Sequence, residues 1–308
     1  MTEKNENLTN QTNEKNVKKI LKPKNDVVFQ RLFSKDNPEI TKAFVEAMLD
    51  EKIHSIEINN DKELLSENLE LKSGSLDLQV DVNDNEKVDV EIQLLERENF
   101  AERLLFYFSQ LYLRGIRRGE SYLTAKKVVV IAIIDYELKT DKKIDEMETI
   151  WHIAEDNNLK IRLTNKFEIH ILELGKVKEE YRKNKENKKA QWLLFLDNPE
   201  LKEVEEIMEN NKEVKEAVIK IREMSQDEKL QRLADLREKA IMDEKAIYQA
   251  GINNGKAEGE KLGRKQGRVE TIKEIAKKLL KQNMNIESIS EITGLSVEEI
   301  EKLKNDKK

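Results

Sequence analysis

Two short runs of alternation constrain this chain more than any other feature. Leu76-Asp-Leu-Gln-Val-Asp-Val82 and Val88-Asp-Val-Glu-Ile-Gln-Leu94 place apolar residues on one parity and polar residues on the other. That is the signature of a half-buried strand, and two such runs close in sequence predict a hairpin. The polar parity holds Asp77, Gln79, Asp81, Asp89, Glu91 and Gln93, which gives four carboxylates and no cation. Close negative charges raise one another's pKa unless something positive stands among them. A hard divalent cation is the simplest candidate.

Parity also limits the register. A loop of Asn83-Asp84-Asn85 closes Val82 on Glu86 and sets Asp77 directly opposite Glu91. A loop of Asp84-Asn85-Glu86 sets Asp77 opposite Gln93 and diagonal to Glu91. Either register leaves the two carboxylates about 4.5–8 Å apart at their β-carbons, within reach of one ion. Gln93 follows two residues later on the same face, where its amide can hold a water. The Ile92 main-chain carbonyl is a further candidate ligand. Gln79, Asp81 and Asp89 are expected to face solvent.

Around the hairpin the chain reads as a mixed sheet with helices on its faces. Asn25 or Asp26 can cap a short helix carrying Val28, Phe29, Leu32 and Phe33. Asn37-Pro38-Glu39 has the form of a second helix start. Asn99 to Gly115 predicts a helix with a broad apolar face, on which Tyr107 and Tyr112 read as core residues. Val128 to Ile134 is a β-branched run suited to a strand buried on both faces. A variable segment follows, then Phe167 to Leu174 as a fourth strand.

Strand signals stop near Lys176. Trp192, Leu193, Phe195 and Leu196 are expected to pack back on the sheet. Ser225-Gln-Asp-Glu228 has the form of a capping box. Gly251, Gly255, Gly259, Gly263 and Gly267 recur every fourth residue. Because glycine costs about 1 kcal/mol inside a helix, five of them need a reason. The residues between them favour a helix over a flexible linker. From Gly251 to Met284 nine Lys or Arg oppose four Glu, which suits a helix that tracks phosphates. Ile289, Ile292, Gly294, Leu295, Ser296, Glu299, Ile300 and Leu303 then show helix-turn-helix spacing. Glu298, Glu299 and Glu301 on the second helix would repel DNA, which favours a small packing or dimerisation unit.

The expected organisation is therefore a lead-in over 1–20, an α/β core over 21–176, a helical region over 177–250, a basic glycine-repeat helix over 251–285 and a helical tail over 286–308. Composition excludes several classes. With no cysteine, disulfides and thiolate metal sites are out. Three unpaired histidines give no zinc pattern. No apolar run is long enough to cross a bilayer, and no signal peptide is evident, so a cytoplasmic location is the expectation. A net charge of −6 argues against a globally basic coat protein. No aromatic sugar platform accompanies the carboxylates, so a glycosidase is disfavoured.

Asp77 followed by Glu91-Ile92-Gln93 resembles the catalytic signature of the PD-(D/E)XK nuclease superfamily, with glutamine at the usual lysine position. More narrowly, the chain resembles the Rpn-type recombination-promoting nucleases, the PD-(D/E)XK nuclease family transposases. Lys24-Asn-Asp-Val-Val-Phe-Gln-Arg-Leu-Phe33, Arg103-Leu-Leu-Phe-Tyr107, Leu111-Tyr112, Gly119-Glu-Ser-Tyr122 and the glycine-repeat tail carry the resemblance. It implies a restriction-endonuclease-like α/β core with an all-helical C-terminal extension. The implied activity is Mg2+-dependent, or Mn2+-dependent, cleavage of DNA linked to recombination, with no organic cofactor. Asp77, Glu91 and Gln93 would be catalytic, with Asp77, Glu91 and the Ile92 carbonyl as metal ligands. Asp26 would be an auxiliary acid. Lys24 or Arg103 could supply the cation that Gln93 lacks. Lys261, Arg264, Lys265 and Arg268 are candidate DNA contacts, and the C-terminal helices are candidates for self-association. The alternative is a catalytically feeble protein of the same fold that binds DNA or assembles through that arm.

Overall fold

The computed structural model describes residues 19–59, 77–83, 85–116 and 118–305. Leu76, Asp84 and nearly all of the expected lead-in lie outside the described residues. The chain divides into two units, one up to Ile241 and one from Met242.

The first unit is built on a six-stranded sheet of order β1-β2-β3-β4-β8-β5. Its strands are β1 (Ile56–Ile58), β2 (Leu78–Val82), β3 (Glu86–Gln93), β4 (Lys127–Ile134), β5 (Glu148–Trp151) and β8 (Phe167–Glu173). β3, β4 and β8 run parallel, while β1, β2 and β5 run antiparallel to their neighbours. This is the mixed sheet expected from the sequence. β1 and β5 were not legible there, nor was the separate ribbon of β6 (Ala154–Glu155) and β7 (Asn158–Arg162).

The hairpin adopts the first of the two registers, with Val82 paired to Glu86 and Leu78 to Val90. Asn83 takes a left-handed φ of 50° at the turn, a conformation asparagine tolerates. Its Oδ1 accepts the main-chain N–H of His54 at 2.7 Å, which ties the turn to the chain before β1.

Helices cover both faces. On one face Val88, Val90, Ile92, Val129, Ile131 and Ile133 pack under α1 (Asp26–Leu32), α2 (Pro38–Leu49), α5 (Lys188–Asp197) and α7 (Lys212–Met224). Trp192 of α5 lies against Phe33 and Phe44, as the apolar patch predicted. On the other face Val128, Val130, Ala132 and Ile134 meet Leu104 and Leu111 of α3 (Phe100–Arg114). β4 is thus buried on both sides, which its unbroken apolar run required. α4 (Leu174–Lys183) and α6 (Lys202–Asn210) complete the helical layers.

Local capping follows the sequence with one correction. Asn25 caps α1 by accepting the Val27 N–H. The start of the long α8 (Glu228–Lys281) is capped by Asp227, whose Oδ1 accepts the N–H groups of Lys229 and Leu230. Ser225 instead closes α7, donating its hydroxyl to Ile221 and accepting the Leu21 N–H.

In the second unit, α8 passes through all five repeat glycines without a break. A β-carbon added at any of them would meet nothing within 4 Å. α9 (Ile286–Thr293) and α10 (Val297–Asn305) follow, joined by Gly294 at a φ of 72°. Ser296 and Glu299 form a reciprocal capping box. Ala276, Ile289, Ile300 and Leu303 make a small core, whereas Ile292 stays 61% exposed. Among the described residues no helix is long and apolar enough to cross a membrane.

Candidate active site

Asp77 and Glu91 are brought together because the hairpin closes Val82 on Glu86, a register that sets 77 opposite 91. Two main-chain bonds lock them. The Ile92 N–H donates to Asp77 Oδ2 at 2.8 Å. In return the Asp77 N–H donates to the Glu91 carboxylate. The side chains are 7% and 6% exposed, so this is a recessed pair and not a solvated acidic surface.

The polar parity of the hairpin turns inward, toward the face that α3 covers. Asp89 was expected in solvent, yet it is fully buried and neither carboxylate oxygen has a hydrogen-bond partner. Asp89 pairs in register with Val130, so it sits beside the apolar surface that α3 seals. The face also carries a cation after all. β3 begins early enough to include Lys87, which bonds Asp81 at 2.9 Å, so Asp81 is ion-paired and not simply solvated.

Burial sets the electrostatics. It pushes the Asp77 carboxyl up to about 6, with the Ile92 N–H and the Gln30 amide working against it and the Asp26 charge adding to it. Burial drives Glu91 well above the usual carboxylate range, reinforced by Asp89 and Asp77 and opposed by Arg103. Asp89 is raised by burial and then by Asp77, with the Arg114 charge working against both. Burial and mutual repulsion outweigh the opposing charges of Arg237, Arg114 and Arg103, and three desolvated acids in that balance are the electrostatic situation that a bound divalent ion would relieve.

The donor set fits such an ion. Both side chains offer hard oxygens, and Glu91 Oε1 is buried without a partner. Asp77 is oriented by neutral donors, which leave its charge available. Among the described residues no three His, Cys, Asp or Glu side chains converge on one point. A metal held here would therefore rest on two carboxylates supplemented by main-chain oxygen or water, the usual habit of Mg2+.

The remaining sequence candidates divide. Gln93 ends β3, and its Nε2 donates to the Leu95 carbonyl at 2.8 Å. That bond fixes which end of the amide is oxygen. Asp26 lies close enough to raise the Asp77 pKa, but its Oδ2 is bonded by Arg237 at 2.6 Å. Lys24 is tied between Asp197 at 2.7 Å and Asp135 at 3.1 Å, and Asp135 in turn donates its N–H to the Gln93 carbonyl. Arg103 of α3 favours the charged form of Glu91 and donates to the Tyr107 hydroxyl at 2.8 Å. Tyr107 is a core residue with a bonded hydroxyl, as read from the sequence. In the second unit Lys261, Arg264, Lys265 and Arg268 are exposed. Their helical spacing puts them on one side of α8.

One residue escaped the sequence reading. Gln30 donates its Nε2 to Asp77 Oδ1 at 3.2 Å, and it sits one helical turn after Asp26 on α1. That four-residue spacing was the available signal, since it turns both side chains to the same flank.

Two family models match. Residues 23–251 match PD-(D/E)XK nuclease family transposase. Residues 269–305 match the C-terminal helix-turn-helix domain of the Rpn/YhgA-like nuclease family. The second match agrees with the helix-turn-helix spacing read from the sequence, and it begins within α8, ahead of residue 286. No curated protein and no solved structure gave a match.

Proposed function

The chain belongs to the PD-(D/E)XK nuclease family transposases, and from that premise we propose that it is a divalent-metal-dependent DNA endonuclease acting in recombination or with mobile elements. The observation that carries the reading is the recessed Asp77–Glu91 pair, with its orphaned Glu91 oxygen. Asp77, Glu91 and the Ile92 carbonyl would hold Mg2+ or Mn2+. When bound, the ion supplies Lewis acidity toward a phosphate oxygen and lowers the pKa of a water.

The chain's own residues prepare the rest. The Ile92 N–H and Gln30 hold the Asp77 carboxylate in place. Gln93 gives one of its two amide N–H groups to Leu95, and its oxygen would accept a hydrogen bond from the attacking water and aim it at the phosphodiester. A lysine would add a positive charge there, which glutamine cannot. Arg103, whose charge already favours ionised Glu91, would supply that charge toward the phosphate. Lys261, Arg264, Lys265 and Arg268 of α8 would contact DNA phosphates next to the helix-turn-helix segment.

A second reading has its own support. The two carboxylates are nearly closed to solvent, and Gln93 replaces a lysine, which suits a feeble enzyme that acts chiefly by binding DNA. Incubating supercoiled plasmid with the protein, with and without Mg2+, separates the two. Nicking that needs Mg2+ and is lost in Asp77→Ala supports the nuclease. DNA retardation without nicking supports the binding module.

A further inference from the structure

The β6–β7 ribbon, which leaves the sheet after β5, keeps an apolar side in water. Ala154 pairs with Arg162, and the Leu163 N–H donates to the Ile153 carbonyl. Side chains alternate along an extended strand. Leu159 and Ile161 of β7 and Leu163 just past it therefore share one side, and Ile153 joins them across the ribbon. Lys160 and Arg162 take the other side. Leu159 and Leu163 are 76% and 80% exposed, and Ile161 and Ile153 are also open to water. Lys166 ties the foot of the ribbon to the turn Tyr122–Thr124, donating to the Leu123 carbonyl at 2.8 Å. That turn adds Tyr122 at 81% and Leu123 at 88% exposure. Ribbon and turn meet where β4 and β8 begin, whereas Glu91 and Gln93 lie toward the end of the parallel β3. DNA seated on the Asp77–Glu91 pair is at the other end of the sheet and does not account for the patch.

A two-stranded ribbon is marginal alone in water, and an exposed apolar patch of more than a few hundred Å2 marks an interaction surface. These six side chains leave on the order of 800 Å2 uncovered, about what each partner contributes to a standard-size interface. Charge selects the partner. Glu155 and Asp156 stand at the tip of the ribbon, and Arg162 and Lys166 stand at its foot. A second ribbon laid antiparallel about a two-fold axis sets each acidic tip on the other's basic foot, whereas a parallel one sets like on like. We propose that this side of the ribbon docks a second copy of the chain, ribbon on antiparallel ribbon, with the two-fold axis close to Ile161. The interface depends neither on the nuclease reading nor on the C-terminal helices.

The chain has no cysteine, so a single introduced thiol reports its own neighbours. Under mild oxidation Ile161→Cys should give disulfide-linked dimers of the full chain. Lys160→Cys, one residue away on the opposite side of the strand, should stay monomeric on a non-reducing gel. This reads the ribbon by itself, whatever other contacts the chain makes. Sedimentation equilibrium should show wild type self-associating, and at least tenfold weaker association in the double variant Leu159→Asp, Ile161→Asp. Both side chains are exposed, so the double variant should fold, which circular dichroism checks. Equal crosslinking at 160 and 161, or none at 161, overturns the proposal, as does association that the double variant leaves unchanged. A monomeric wild type whose double variant loses DNA retardation also overturns it, and gives the patch to DNA.

Discussion

Asp77 Oδ2 accepts the main-chain N–H of Ile92 at 2.8 Å, so the residue that follows Glu91 in the chain holds the carboxylate that faces it. The two acids are therefore coupled through backbone and not merely through side-chain proximity. Their separation is a property of the hairpin register, and disturbing that register would dismantle the site before it touched either acid.

The burial of these acids gives stability a definite sign against pH. Burial holds Asp77 at about 6, and it raises Glu91 and Asp89 in the same direction. Such groups bind more protons folded than unfolded, so stability is lost as pH rises through their folded values. His170 adds the same sign, since its bonds to Glu148 and Glu168 outweigh burial and raise it. Metal-free protein should thus melt higher at about pH 5 than at about pH 7.5. Saturating Mg2+ should reverse the order, because it requires the deprotonated acids. Calorimetry at both pH values checks this, and a metal-free melting temperature that climbs with pH contradicts it.

Gln30 reaches Asp77 from α1 and acts through that carboxylate. Gln30→Ala should weaken metal affinity by about 10–100-fold, the usual effect of removing a group that orients a ligand. Cleavage at saturating Mg2+ should fall much less. A Mg2+ titration of the nicking rate separates the two effects, and an unchanged half-saturation point contradicts the role.

Lys189 is 3% exposed and bonds Glu148 at 2.6 Å and Asp50 at 2.9 Å. Lys189→Met should cost about 1–3 kcal/mol, because half-buried Glu148 then keeps only His170 as a partner. Adding Glu148→Gln should recover part of that loss. Urea unfolding of the single and double variants tests the pair, and additive losses would contradict it.

The repeat glycines make the opposite kind of test. A β-carbon at Gly259 or Gly263 meets open space, so each change to Ala should stabilise α8 by about 0.8–1.0 kcal/mol. Circular dichroism melts of the full chain measure it. A loss of DNA retardation in the more helical variant would show that the ridge itself lies against DNA.

Much of this site was legible because alternation reports register. Once the parity of Asp77, Glu91 and Gln93 was known, only two loops could close the hairpin, and the real one is among them. Which side of the sheet is covered was not legible. Parity says that Asp89 shares a face with Asp77, but only the arrival of α3 decides that the face is interior. β5 to β7 were missed for a related reason. Their residues are largely exposed, so no burial pattern disciplines their sequence. Gln30 was hidden because its partner lies 47 residues away.

The most direct measurement is the initial rate of plasmid nicking across a Mg2+ titration, for wild type and for Glu91→Gln. Glu91→Gln keeps the side-chain volume and removes the charge that the ion needs. The account predicts saturable, Mg2+-dependent nicking by wild type and none above background for Glu91→Gln, with both proteins equally folded. Wild-type rates in Glu91→Gln, or nicking indifferent to Mg2+, would contradict it.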